Sequence, residues 1–294
     1  MSFLSFLSLR LKVWLARLEF HSTEFFYALF GLSEHSKFLP QRSFSIPSTT
    51  STRRIRIRAY EPDFFDKDKR YPVHLNFHGS GLRLRKRQVT IQKIRPAYPH
   101  TDVEDIISYV IANKDGYFDT SRVTIGGFSA GGTLALTASA SHPKGTLKGT
   151  VAFYPSVDLS LETAIQAPPP GPVSEGNTNM VTPSFLEVVR RSYIPHGTDM
   201  FDPRLSPINT PLTKLPEHMF LLVCENDPLR LDAVNYAKRL KKDGTKVILK
   251  DMPKLAHAWD KSAKRGTPGW TAKRDSYEAA VEFLKMIYGI SNKG

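Results

Sequence analysis

The stretch "RVTIGGFSAGGTLALTASASH", residues 122–142, changes character in its middle. Its first six residues are a β-branched run closed by glycines, which reads as a strand. From Ala130 onward small and apolar residues read as a helix. Between them, Gly127-Phe128-Ser129-Ala130-Gly131 matches G-x-S-x-G at the strand-to-helix junction that this pattern requires. A serine exposed on so sharp a turn sits in a strained backbone conformation, and side chains two positions away would collide with it. The helix that follows points its N-terminal N–H groups at developing negative charge. Ser129 is therefore the candidate nucleophile, with Gly127 and Gly131 shaping its turn.

A serine hydroxyl reacts only when a base takes its proton and a third group orients that base. In a strand–turn–helix setting the chain order is serine, acid, histidine. Of nine histidines, His257 in "LAHAW" is the one that lies beyond the last well-formed acid at a strand end. Asp227, in "VCENDPLR", directly follows the apolar run "MFLLVC", at the carboxyl edge where sites of parallel sheets gather. Glu225 competes with it, two residues nearer the strand, and Asp251 is less well placed. Ahead of the nucleophile, "HGSG" (His78 to Gly81) also follows an apolar run. The backbone N–H groups of Gly79 and Ser80, with that of Ala130, are the candidate oxyanion donors. His78 and Gly81 read as supports of that loop.

Outward from these motifs the chain alternates. Residues 53–60, with Ile55 and Ile57 between basic residues, and residues 73–77 read as strands. "VEDIISYVIANKDG" (103–116) has helical spacing and stops at Gly116, and "GTVAFYPSVDLS" (149–160) reads as a strand leaving into a loop. "MFLLVC", the helix "LDAVNYAKRLKKDG", "KVILK" and the helix "DSYEAAVEFLKMIYG" complete the rhythm, with Gly244 and Gly289 where helix caps belong. Strands alternating with helices predict an α/β fold with a largely parallel sheet. Residues 160–215 break that rhythm with the loop "QAPPPGPVSEGNTN" and an unplaced helix "PSFLEVVRRSY", an insertion over the sheet. Residues 1–40 read as helical and apolar, and "SIPSTTST" as a polar link.

Composition narrows the function classes. Forty per cent apolar residues over 294 support a packed core. The net charge of +13 raises nucleic acid as a partner, but six of those charges are Arg83, Arg85, Lys86, Arg87, Lys93 and Arg95, and without them the balance is +7. No aromatic residues interleave that cluster, so a nucleic-acid partner is not expected. Cys224 is the sole cysteine, which excludes an intrachain disulfide and a thiolate metal cluster and favours a reducing, cytoplasmic location. Neither a metal nor an organic cofactor is expected. Leu4, Leu7, Leu11, Trp14, Leu15 and Leu18 follow helical spacing, an amphipathic helix to be packed on the domain or, alternatively, to make weak membrane contact.

Together these motifs resemble the hormone-sensitive-lipase-like branch of the α/β-hydrolase superfamily, in particular its fungal esterase-like members. "HGSG" stands for the HGGG oxyanion motif, "GFSAGG" for the GDSAGG elbow, "NDPLRLDA" for the acid turn and "LAHAW" for the histidine loop; "FYPSVDLS" and "DPRLSP" are also similar to family segments. The resemblance spans roughly residues 50–290. It implies an α/β-hydrolase domain over 51–294, an N-terminal helical cap segment over 1–50 and a cap insertion at about 160–205. It further implies a Ser129–Asp227–His257 triad, no cofactor, and a small or medium apolar ester as the small-molecule substrate.

Two departures stand out. Phe128 precedes the serine where the family often has Asp. Between "HGSG" and "PAYPHTDVED" the family places a helix and a sheet strand, whereas here only Leu82 to Arg95 fill the space. Fourteen residues cannot supply both, since a whole crossover needs at least ~10–12. Either the chain comes from a gene model with a missing or wrongly joined exon, or a genuine deletion left a catalytically impaired, small-molecule-binding protein in which "QVTIQKI" substitutes for the strand.

Overall fold

The computed structural model describes residues 42–62, 65–79, 98–159 and 197–290, with isolated positions between the last two spans. The N-terminal amphipathic segment, most of the 160–205 insertion, and Ser80, Gly81 and the basic run lie outside the described residues.

Five strands form one parallel sheet: β3 (Tyr71–Phe77), β4 (Phe118–Phe128), β5 (Gly149–Phe153), β6 (His218–Asn226) and β7 (Lys246–Ala256), paired in the order β3-β4-β5-β6-β7. The central strands carry near-continuous apolar runs because both faces are covered. Met219, Phe220, Leu221 and Leu222 of β6 are fully buried. On one face α2 (Ala130–Ala138) and α3 (Arg230–Lys242) pack Leu136, Ala233, Tyr236, Ala237 and Leu240 against Leu221 and Val223. On the other, α4 (Pro268–Tyr288) packs Ala280 and Phe283 against Phe220 and Leu222. Helix α1 (Tyr98–Ala112) adds Val103, Ile107 and Val110 beside Val123 and Ile125 of β4.

The expected elements that fall within the described residues are present, with shifted ends. β7 runs six residues beyond "KVILK", through Pro253. A proline is tolerated there because, among the described residues, β7 is the last strand of the sheet and needs no donor on its outer side. Helix α4 begins at Pro268, seven residues ahead of the predicted "DSYEAAVEFLKMIYG", because Thr267 caps it: its side chain accepts from Trp270 N at 3.3 Å, and proline suits the first helical position. Gly289 ends it at φ 66°.

One element was not expected. Residues 42–47, assigned from sequence partly to the helical segment and partly to the polar link, form β1 (Arg42–Pro47), which pairs antiparallel with β2 (Arg54–Ala59). Phe44 and Ile46 alternate with Ser43 and Ser45, but over too few residues for the period to stand out. Among the described residues this pair is a separate two-stranded sheet, and β3 is the first strand of the other, so the neighbours of the shortened segment each have one unpaired side. The β1–β2 sheet is tied to α1 instead. Arg53 forms an ion pair with buried Asp102, and Thr49 Oγ1 donates to Asp105 at 2.6 Å. No helix among the described residues is long and apolar enough to cross a membrane.

Candidate active site

Parallel strands deliver the residues that follow their carboxyl ends to one edge of the sheet. At that edge stand Gly79 after β3, Ser129 after β4, Tyr154 after β5, Asp227 after β6 and His257 after β7.

Ser129 has φ 53° and ψ −124°, in the left-handed half of backbone space that β-carbons disfavour. Neighbouring glycines make this conformation attainable. A Cβ on Gly131 would stand 2.2 Å from the Phe77 carbonyl oxygen, and one on Gly127 would stand 2.4 Å from the Gly131 carbonyl carbon. The end of β3 and the start of α2 are thus pressed together through positions that admit no side chain. Ser129 N donates to Phe153 O at 2.9 Å, and Thr133 N to Ser129 O at 3.0 Å. Among the described residues no protein acceptor meets the Ala130 N–H, one of the unpaired donors that open every helix.

His257 Nε2 lies 2.8 Å from Ser129 Oγ, and its Nδ1 lies 2.6 Å from Asp227 Oδ2. With a carboxylate facing Nδ1, that nitrogen carries the proton, which leaves Nε2 free to accept the serine hydroxyl's. Both side chains are buried, at 5% and 1% exposure. Asp227 is fixed in turn, its Oδ1 accepting from Leu229 N at 2.9 Å and its own N–H reaching Cys224 O at 3.1 Å.

The two competing acids are engaged elsewhere. Glu225 Oε2 accepts from Lys254 N at 2.6 Å and so holds the irregular end of β7, three residues before His257. Asp251 pairs with Arg230 at 2.5 Å.

Of the expected oxyanion donors, Gly79 lies against the nucleophile, and a Cβ on it would be 3.2 Å from the Ser129 Cβ. Ala130 opens the helix beside it, while Ser80 and Gly81 lie outside the described residues. His78 Nδ1 donates to the Gly79 carbonyl oxygen at 2.6 Å.

The family model for the alpha/beta hydrolase fold matches residues 95–261, more than half of the chain. The chain belongs to the α/β-hydrolase family. Within the family it falls in the hormone-sensitive-lipase-like branch. It is 27% identical over 205 residues to the carboxylic ester hydrolase LipN of Mycobacterium tuberculosis, covering 63% of this chain and 53% of that protein. It is 27% identical over 143 residues to the ethyl acetate hydrolase of Pseudomonas putida, covering 47% and 43%. The chain therefore spans about half the length of the curated relatives it matches. Among solved structures, an esterase of Pyrobaculum calidifontis superposes with a TM-score of 0.72 at 21% identity, over 97% of this chain and 99% of that one. Carboxyl esterase 2 of the fungus Tuber melanosporum gives 0.69 at 21%, over 86% and 88%. At these identities the superpositions establish the shared fold.

One group beside the site was not singled out in the sequence. Tyr154 stacks obliquely on His257, ring centroids 4.7 Å apart, and its hydroxyl donates to Asp260 Oδ1 at 2.7 Å. Asp260 is fully buried and also accepts from Tyr277 at 2.6 Å and pairs with Lys261 at 2.7 Å. Burial pushes the Asp260 carboxyl up, but the charge of Lys261 and the hydrogen bonds from Lys261, Tyr277 and Tyr154 outweigh it and hold the group below its ordinary range. Only "FYPSVDLS" could have signalled this cluster, and it says nothing of Asp260 or Tyr277.

Proposed function

We propose that the chain is a serine carboxylic-ester hydrolase that acts through an acyl-enzyme, with Ser129 as nucleophile, His257 as general base and acid, and Asp227 as the group that orients and stabilises the imidazole. The observation that carries this reading is the pair of hydrogen bonds meeting at His257, 2.8 Å to Ser129 and 2.6 Å to Asp227, at the carboxyl edge of a parallel sheet.

The chemistry follows from the geometry. Ser129 Oγ attacks the ester carbonyl carbon while its proton passes to His257 Nε2. Negative charge then grows on the carbonyl oxygen, where the backbone N–H groups of Gly79, Ser80 and Ala130 receive it. Each such donor is worth about 3 kcal/mol in the transition state. Collapse of the tetrahedral intermediate breaks the bond to the alkoxy oxygen, which leaves as the alcohol with the proton from Nε2. Water, deprotonated by the same nitrogen, then attacks the acyl-serine and releases the acid. Small or medium apolar esters are the proposed substrates, a reading supported by the names of the relatives.

The test is hydrolysis of p-nitrophenyl butyrate by the purified protein and its Ser129→Ala variant. Turnover by the first and none above background by the second is expected. Equal turnover by both would remove Ser129 from the reaction.

A further inference from the structure

Tyr154 has a backbone φ of 39° directly after β5, a conformation that bulky residues seldom adopt. Its N–H is drawn onto Leu222 O at 2.6 Å, and its side chain is 1% exposed. Such a conformation persists only where the surroundings impose it, and it concentrates at sites with a task. Here the consequence is specific: the phenol ring is brought to 4.7 Å from the His257 ring and its hydroxyl to 2.7 Å from Asp260. Asp260 belongs to the same short turn as His257, three residues on, and that turn opens at Ala258 with φ 59°.

The other end of the cluster reaches the nucleophile's own turn. Lys261 Nζ, paired with Asp260, stands 3.7 Å from the centroid of the Phe128 ring, and Phe128 immediately precedes Ser129. Phe128 also packs on Phe153 at 4.7 Å and on Tyr277 at 5.9 Å. One buried carboxylate therefore fixes two things: the ring lying against the base, and the cation lying on the residue before the nucleophile.

We propose that Tyr154, anchored by Asp260, is a positioning residue for His257, its tilted ring packed against the imidazole while Asp227 holds Nδ1, and that the Asp260–Lys261 pair carries the same constraint to Phe128 beside Ser129. This rests on the hydrolase reading above. Asp227 holds one nitrogen throughout, but the hydrogen bond at the other is given up once Ser129 attacks. The packed Tyr154 ring restrains the imidazole at that stage and keeps Nε2 aimed at the reacting oxygen. The role includes an electrostatic part. A phenol donating to a carboxylate has an electron-richer ring, which favours a cation at its face, so Tyr154 stabilises the imidazolium that forms when Ser129 gives up its proton. The groups facing His257 among the described residues are Ser129, Asp227 and Tyr154, with Cys224 beneath Tyr154 and the Asp260–Lys261 pair behind it.

The test uses a fluorophosphonate, measured as labelling rate against pH in the wild type, Tyr154→Phe and Asp260→Asn. In labelling, Ser129 Oγ bonds to phosphorus, fluoride leaves, and the serine proton passes to His257, so the reaction needs an imidazole able to accept it. Tyr154→Phe keeps the ring and loses the tie to Asp260. We expect its limiting rate to fall about three- to tenfold and the midpoint of its pH profile to move down by about half a unit, since the imidazolium loses support. Asp260→Asn should move the midpoint the same way, and a thermal unfolding scan of each variant separates misfolding from mispositioning. Tyr154→Phe with the wild type's limiting rate and midpoint would overturn the proposal, as would a slower rate at an unmoved midpoint. A wild type that takes no label at Ser129 would overturn the hydrolase reading itself, a result distinct from either.

Discussion

Gly79 and Ser129 approach so closely that a Cβ on the glycine would stand 3.2 Å from the serine Cβ and 2.9 Å from the Phe128 carbonyl oxygen. The loop after β3 and the turn after β4 are therefore in register at the point where a substrate carbonyl would sit. Phe128 O is backbone and cannot swing aside. In Gly79→Ala the loop must retreat, taking its N–H group with it. We expect kcat for p-nitrophenyl butyrate to fall about 100-fold or more, with KM changing little. Unaltered kcat would place the oxyanion elsewhere.

Asp227 and Glu225 differ in what they touch, and their isosteric variants should differ accordingly. Asp227→Asn exchanges the acceptor at His257 Nδ1 for a group that favours the wrong tautomer, and a loss of about 10⁴ in kcat is expected with the fold retained. Glu225→Gln can still accept from Lys254 N, so the loss should stay below about tenfold. Steady-state kinetics on both variants decide between the two acids, and the reverse order of losses would exchange their roles.

Gly131 carries a stability prediction. A methyl group there would meet the Phe77 and His78 carbonyl oxygens at 2.2 and 2.6 Å, both backbone atoms. Gly131→Ala must part β3 from α2, at a cost of about 1–3 kcal/mol, read as a lower midpoint in denaturant unfolding. A midpoint equal to the wild type's would mean that the two segments are not pressed together.

Two buried histidines set the acid side of stability. Burial pushes His74 down to about 4, its ring lying over Gly126 with Nδ1 2.9 Å from Thr124 Oγ1. Burial likewise lowers His100 to about 4, helped by the charge of Arg204 and opposed by that of Asp202. Both are held neutral in the fold and bind protons more readily once unfolded, where the ordinary value is 6.5. Their contribution is therefore whole above pH 6.5 and lost as pH falls from there to about 4. His74→Gln keeps a polar partner for Thr124 and removes the titration. Its Tm should drop less than the wild type's between pH 7.5 and 4.5, by about 5 °C or more; equal drops would exclude His74 as a contributor.

The fold and the convergence of Ser129, Asp227 and His257 were legible because each signal is local. A nucleophile at a strand-to-helix turn, an acid after an apolar run and a histidine after the next strand need only chain order and strand ends to be placed. Tyr154 and Asp260 were not legible, because their relation to His257 and Phe128 runs between strands and through a half-buried tyrosine on α4. β1 was hidden by its brevity, and the true length of β7 by Pro253, which argues against a strand unless the strand is known to be at an edge.

The shortened stretch after "HGSG" remains the part where family pattern and chain disagree. β2 and β3 each pair on one side only among the described residues, which suits the loss of a strand between them. If an exon is missing, sequencing the transcript across the codons for His78–His100 should restore at least ~20 residues, the length of a helix and a strand. A transcript that encodes Leu82–Arg95 as they stand would establish a genuine deletion.

The central claim is that His257, oriented by Asp227, makes Ser129 a nucleophile. Peptide mapping by mass spectrometry after fluorophosphonate treatment tests it most directly. We expect one adduct per chain, on Ser129, absent from Ser129→Ala and slowed at least ~10³-fold in His257→Ala. An adduct at another residue, or labelling of Ser129 at an undiminished rate without His257, would contradict it.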